Sequence, residues 1–498
     1  MFYRSTRDSL KEVTAAQAIA QGISDEGGLF VPAFLPALTP DDFERLASAD
    51  YNGRAVDILG RFLTDFTEAE IEQCVRGAYG GGKFDTENPA SMHVLHDDVH
   101  ILELWHGPTC AFKDMALQLL PHLLTRSVEK VSPGKTTAIL VATSGDTGKA
   151  ALEGFKDVEG TKVVVFYPGD GVSMLQKMQM VTQEGKNVRV FAISGNFDDA
   201  QTGVKKIFTD EKIKSTLAAD NIQLSSANSI NWGRLVPQIV YYVSAYCDLL
   251  ASGRIAPGKK FNVVVPTGNF GNILAAYYAM RMGVPIAKLI CASNKNKVLT
   301  DFINSGVYDR RRDFYVTASP SMDILISSNL ERLLYELEDN DDKVITEYMA
   351  ALRENGVYTV SDKCRERLQG LFYAGYLDDE GTFDVIRECF EKYHYLCDTH
   401  TAVAIGVYEQ YAAQTGDTAV TVIASTASPY KFPTSVLGAL GREARGDEFD
   451  RLYELNEVSG VKIPQSLAEL KSKPVRFSDC CTPDSMAQSV VDYLLSKE

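Results

Sequence analysis

Five short, almost unbroken apolar runs recur between residues 137 and 424, and each runs straight into a turn rich in Gly, Ser, Thr or Asn. Residues 137–142 lead into Thr143-Ser-Gly-Asp-Thr-Gly148, and 162–167 lead into Pro168-Gly-Asp-Gly171. Residues 188–193 end at Ser194-Gly-Asn196, 261–265 lead into Pro266-Thr-Gly-Asn-Phe-Gly-Asn272, and 419–424 lead into Ser425-Thr-Ala-Ser-Pro429. A strand with one wet face alternates apolar and polar residues. These runs do not alternate, so both faces are buried, as in parallel strands joined by helical crossovers. The expected fold class is therefore α/β, built on doubly wound, mostly parallel sheets. Ligands of such sheets bind beyond the carboxyl ends of the strands, which makes 143–148, 267–272 and 425–429 the candidate site loops.

A chain of 498 residues exceeds one compact core, so more than one domain is expected. Residues 1–88 read as a mainly helical N-terminal domain, with helices at 14–21, 40–48, 55–63 and 67–77, closed off by Gly80-Gly81-Gly82. Residues 89–260 and 261–498 read as two α/β lobes with interleaved chain segments. The 66 acidic residues outnumber the 50 basic ones, and a net charge of −16 argues against nucleic acid or anionic membrane as partner. The 16-residue stretch 235–250, interrupted by Pro237, Gln238, Ser244 and Asp248, is too short and too polar to span a bilayer and reads as a buried helix. Nine cysteines with no Cys-x-x-Cys pair, and no apolar stretch after the N-terminal charges, point to reduced thiols and a cytoplasmic protein without a signal peptide.

The loops suit anions. Gly268-Asn-Phe-Gly-Asn272, between a strand and a helix, can close backbone N–H groups on a phosphate, or can be a tight turn alone. Thr143-Ser-Gly-Asp-Thr-Gly148 suits a carboxylate or phosphate, although Asp146 could simply cap the helix. Other phosphate motifs fail: Gly134-Lys135-Thr136 has Glu129 where a P-loop needs Gly, and no Gly-x-Gly-x-x-Gly follows a strand. His93, His96 and His100 fall on different faces of an extended stretch, so no metal site is expected. Lys113, between Ala111-Phe112 and an apolar helix at 115–124, would be partly desolvated. That lowers an ammonium pKa and makes the amine a nucleophile toward an aldehyde.

These residues resemble the threonine synthase family, pyridoxal-phosphate enzymes of fold type II, similar to the tryptophan synthase β chain. The resemblance spans nearly the whole chain, from Tyr3-Arg-Ser-Thr-Arg7 and Asp25-Glu-Gly-Gly-Leu-Phe-Val-Pro32 through His106-Gly-Pro-Thr109, Phe112-Lys-Asp114 and Thr143–Gly148. It continues in Ala227-Asn-Ser-Ile-Asn-Trp-Gly-Arg234, Gly268–Asn272 and Thr426-Ala-Ser-Pro-Tyr-Lys-Phe432. It implies two lobes with the cofactor cleft between them and pyridoxal 5'-phosphate as cofactor. Lys113 would form the Schiff base, and Gly268, Asn269, Phe270, Gly271 and Asn272 would hold the cofactor phosphate. Thr426 would hydrogen-bond the pyridine nitrogen. Thr143, Ser144, Asp146 and Thr147 would surround the substrate carboxylate, and Asn228, Ser229, Asn231 and Arg234 the substrate phosphate. The family often has His and Ala where this chain has Ser428 and Tyr430.

The implied reaction turns O-phospho-L-homoserine and water into L-threonine and phosphate, with Lys113 as mobile base, in a monomer or homodimer. A serine/threonine dehydratase of the same fold is the alternative, and would need no second anion site. A non-catalytic metabolite-binding relative would lack the need for Lys113. The acidic helical stretch 325–395 reads as a solvated insertion or cover.

Overall fold

The computed structural model describes residues 1–143, 145–169, 172–443 and 445–496. All five apolar runs are strands, and they divide between two sheets. The smaller, five-stranded sheet is parallel throughout, in the order Cys480–Cys481, Val188–Ile193, Thr161–Pro168, Thr136–Ala142, Ile222–Ser225. The larger has six strands, in the order Phe372–Tyr376, Ile286–Ser293, Phe261–Pro266, Thr421–Ser425, Val99–Glu103, Ser91–His96. Only its last strand, Ser91–His96, is antiparallel. Ser91–His96 and Val99–Glu103 thus sit in the larger sheet although they precede the smaller one in the chain, and Cys480–Cys481 crosses the other way.

The N-terminal region is mainly helical. Ala15–Gln21, Pro40–Ala47, Tyr51–Phe62 and Glu68–Tyr79 each start at a Thr or Asp whose side chain accepts from the first turn, satisfying one of the unpaired N–H groups there. A small antiparallel sheet, Asp8–Val13, Tyr3–Ser5 and Phe30–Pro32, joins them. Two of its strands have only three residues and the third, Asp8–Val13, is largely polar, so periodicity does not reveal them. The 20-residue helix Trp232–Ala251 is buried along most of its length and includes Pro237. Trp232 at its start packs on Tyr3 (5.2 Å) and Phe62 (5.6 Å), fastening the N-terminal region to the lobes.

Two expectations need correction. The apolar stretch 115–124 is not one helix but Lys113–Leu117 followed by Leu120–Val131. Pro121 cannot donate to the preceding turn and its ring would clash with the carbonyl four residues back. The stretch 325–395 is not a solvated cover throughout. Helix Leu330–Leu337 is almost entirely buried, and Phe372–Tyr376 is the edge strand of the larger sheet. Its acidic composition misleads because Glu331 and Glu336 are shielded from water and paired with Arg7 and Arg281. His93 and His96 stack on Tyr395 (4.7 Å) and Tyr393 (4.6 Å), while His100 is buried in the neighbouring strand.

Candidate active site

Three strand ends converge. Beyond Thr421–Ser425, the Thr426 carbonyl accepts from the Phe112 N–H (2.9 Å), and Ala427 bridges Ala111, so the Thr426 loop and Lys113 are pinned together. The approach to Lys113 is set by Asp114, whose buried carboxylate accepts from the Thr109 N–H (2.8 Å) and hydroxyl (2.7 Å). Gly107 is required here, because a Cβ would come within 2.6 Å of Asp114. Burial pushes the Asp114 carboxyl up to about 6, against those hydrogen bonds.

Lys113 Nζ lies 3.3 Å from Asp146 Oδ2 and 3.3 Å from Ser321 Oγ. Burial lowers its pKa; Asp146 opposes the shift, and nearby Lys431 and Arg234 add to it. Asp146 is a hub. Lys431 Nζ sits 2.8 Å from its Oδ1, Gln176 donates to Oδ1 (3.3 Å), and the Ser321 hydroxyl donates to Oδ2 (3.2 Å). Burial alone would raise this carboxyl, but the two lysines hold it well below the ordinary carboxylate range. Both oxygens are committed to protein partners, so the Asp146 side chain faces Lys113 rather than a substrate carboxylate. A carboxylate ligand would be repelled by it.

In the same loop Thr143 Oγ1 accepts from the Gly145 (3.0 Å) and Gly148 (2.9 Å) N–H groups and so shapes the turn that opens helix Asp146–Gly154. Thr147 is half-buried. Ser144 lies outside the described residues.

Phe270, with φ +65°, turns the chain into helix Gly271–Met282, and a Cβ on Gly268 would meet the Ser321 carbonyl oxygen at 2.8 Å. This loop is braced from behind. Ser327 donates to the Gly268 carbonyl (2.7 Å), and Asn329 donates its N–H (3.0 Å) and side-chain amide (3.1 Å) to the Asn269 carbonyl. Asn272 Oδ1 accepts from Tyr241 and Tyr242 (2.6 Å each), while its buried Nδ2 has no hydrogen-bond partner among the described residues.

The stretch 228–234 abuts this loop: a Cβ on Gly271 would stand 3.8 Å from Ser229 Cβ. Ser328 links the two, 3.5 Å from Ser229 Oγ and 3.4 Å from Asn269 Oδ1. Arg234 is buried, donates one nitrogen to the Ala227 carbonyl (2.9 Å), and has Nε without a partner among the described residues. Burial pulls its guanidinium down to about 10. Asn228 is exposed. Asn231 differs from its neighbours: its oxygen accepts from the Gly233 N–H (2.8 Å) and its amide donates to the Ile19 carbonyl (3.0 Å). It caps the helix, with both ends of its amide in use.

Ser321, Gln176, His400 and the 327–332 segment escaped the sequence reading. Ser321 sits in a single 3-10 turn, Pro320–Met322, too short to show periodicity, and His400 acts out of sight. Its Nδ1 bonds Asp398 (2.7 Å), and its Nε2 accepts the Ser321 N–H (3.1 Å), fixing that loop against Lys113. Lys431 carried a visible signal, since it belongs to the Thr426–Phe432 motif.

The residues fit pyridoxal phosphate. A desolvated amine, a glycine-shaped loop at a helix N-terminus with a buried, unpartnered amide nitrogen, and the Thr426 loop pinned to the lysine match an aldehyde, a phosphate and a ring between them.

Comparison with known proteins agrees. The family model described as Pyridoxal-phosphate dependent enzyme matches residues 89–426, Threonine synthase N terminus matches 2–79, and Threonine synthase, C-terminal matches 401–491. Threonine synthase-like 1 of Macaca fascicularis is 38% identical over 509 residues, covering 99% of this chain and 68% of its own length. The chain thus spans about two thirds of the length of the threonine synthase-like 1 proteins it matches. Threonine synthase of Pseudomonas aeruginosa is 36% identical over 476 residues, covering 95% of this chain and 97% of its own. The crystal structure of PLP-bound threonine synthase from Brucella melitensis superposes with a TM-score of 0.88 at 35% identity, covering 99% of this chain and 98% of that one.

The fold and the site are those of a pyridoxal-phosphate-dependent enzyme. Within that class, the chain belongs to the threonine synthase family.

Proposed function

We propose that this protein converts O-phospho-L-homoserine and water into L-threonine and inorganic phosphate. The observation that carries the reading is the abutment of two anion-binding segments, 228–234 and 268–272, in one cleft with a desolvated lysine. A dehydratase acting on unphosphorylated amino acids has no use for the second segment.

Bound at Lys113, with its phosphate at Gly268, Asn269, Phe270, Gly271 and Asn272 and its ring nitrogen at Thr426, pyridoxal phosphate supplies the electron sink that makes the substrate's α- and β-protons removable. A neutral hydroxyl at Thr426 restrains that sink. Lys113 Nζ is the base for those protons; its lowered pKa keeps a fraction of the amine neutral, and Asp146 and Ser321 hold it within reach. Thr143, Ser144 and Thr147, with the N–H groups opening the 146–154 helix, take the substrate carboxylate, while the Asp146 side chain orients Lys113. Arg234, Ser229 and Asn228 take the substrate phosphate, Arg234 through the guanidinium nitrogens it does not spend on Ala227. Asn231 contributes by fixing the helix that carries Arg234.

The reading extends to a cytoplasmic enzyme, monomeric or homodimeric, with residues 1–88 as an N-terminal domain and two interleaved lobes behind it. No helix among the described residues is long and apolar enough to cross a membrane. Incubation with O-phospho-L-homoserine tests the activity: phosphate and threonine should appear in equal amounts, and K113A should make neither. Ammonia and an oxoacid formed from threonine, without phosphate from phosphohomoserine, would establish the dehydratase instead.

A further inference from the structure

Helix Leu330–Leu337 begins where three parts of the protein meet. Asn329, just ahead of it, holds the Asn269 carbonyl of the cofactor-phosphate loop with two hydrogen bonds. Glu331, 4% exposed, accepts from the Thr6 hydroxyl (2.6 Å) and takes Arg7 through two nitrogens (2.9 and 2.7 Å). Arg332 is fully buried. It donates Nε to the Phe30 carbonyl (3.0 Å), one terminal nitrogen to the Ile230 carbonyl (2.5 Å), and the other to the Asn329 side-chain oxygen.

Burying a guanidinium is costly, and an apolar side chain would anchor the helix as well. What an apolar side chain cannot do is fix three oxygens relative to one another. The planar fork does so, and its acceptors are telling. Ile230 lies inside the segment assigned to the substrate phosphate. Asn329 is the brace of the cofactor-phosphate loop. Phe30 belongs to the small N-terminal sheet.

We propose that Arg332 is a positioning residue that sets the spacing between the two phosphate-binding segments, with Glu331, Arg7 and Phe30 making the N-terminal region part of that mount. The proposal rests on the assignment of 228–234 and 268–272 to two phosphates. Because one rigid group holds both segments, removing it should loosen both binding segments together.

The test uses holoenzyme, with inorganic phosphate as probe. R332M should raise the phosphate dissociation constant and the KM for O-phospho-L-homoserine together by about tenfold, with kcat changing much less. It should also weaken cofactor binding, followed by absorbance. R332K keeps the charge but not the fork, and should restore little. A variant that melts earlier yet binds cofactor and phosphate as the wild type does would show Arg332 to be structural only and overturn the proposal. Should R332M fail to fold, R7M, at a partly exposed position, decides: a KM and phosphate constant raised about threefold support the mount, and unchanged values refute it. If the wild type makes no threonine, the reaction assignment fails. The phosphate and cofactor affinities of the variants would still decide the role of Arg332.

Discussion

Lys113 is an amine balanced between two effects. Burial disfavours its charged form, and hydrogen bonds to Asp146 and Ser321 favour it. Removing either acceptor should therefore lower its pKa further. The shift should be larger in D146N, which removes a charge, than in S321A, which removes a neutral acceptor. Labelling of Lys113 by a small acylating reagent in cofactor-free protein, followed by mass spectrometry across pH, measures both midpoints. The expected order, from highest to lowest, is wild type, S321A, D146N. An unmoved midpoint in D146N would show that the pair does not tune this amine. Asp146 also shows why one motif residue can be found in the sequence and its role still missed. Its position in Thr143–Gly148 was plain, but its two lysine partners come from residues 33 and 285 positions away, which no local pattern reports.

At the scale of elements, what could be read from sequence follows from packing. Strands buried on both faces announce themselves as Val and Ile runs, so three strands of the smaller sheet and two of the larger were visible, whereas the interior strand Ile286–Ser293, whose run is broken by Lys288, was not. Ile222–Ser225 and Cys480–Cys481 were not, because strands of four and two residues at a sheet edge carry little pattern. The loop glycines were visible as punctuation; their reason is steric. Gly268→Ala would drive a Cβ to 2.8 Å from the Ser321 backbone oxygen, and the loop must shift to admit it. Cofactor affinity should fall by about tenfold, roughly 1.4 kcal/mol, measured by absorbance titration. The turn before Lys113 has its own pH signature. His106 lies between Asp85 (2.6 Å) and Glu103 (2.9 Å). Burial opposes its charge, but the two carboxylates raise its pKa to about 9. A raised pKa means stability fully present below the unfolded value of about 6.5 and lost as pH climbs through 9. Wild type should thus exceed D85N in thermal stability at pH 6 by about 1 kcal/mol, a modest figure because Asp85 is over half exposed (57%), and by little at pH 10.

Across the whole molecule, a net charge of −16 is compatible with the proposed site for two phosphates, because the local charges are arranged differently from the total. Arg234 and Lys431 are buried and Lys113 nearly so, with one carboxylate between the two lysines, while most other acidic groups face water or surface cations. The N-terminal region, silent as to purpose in the sequence, reaches helix Leu330–Leu337 through Arg7 and Phe30. In the proposed reaction, phosphate leaves with its ester oxygen by cleavage of the carbon–oxygen bond, and water then enters at the neighbouring carbon. Turnover of O-phospho-L-homoserine in ¹⁸O-water, with both products read by mass spectrometry, tests this directly. The account predicts one ¹⁸O in the threonine hydroxyl and none in the released phosphate; labelled phosphate accompanied by homoserine would contradict it.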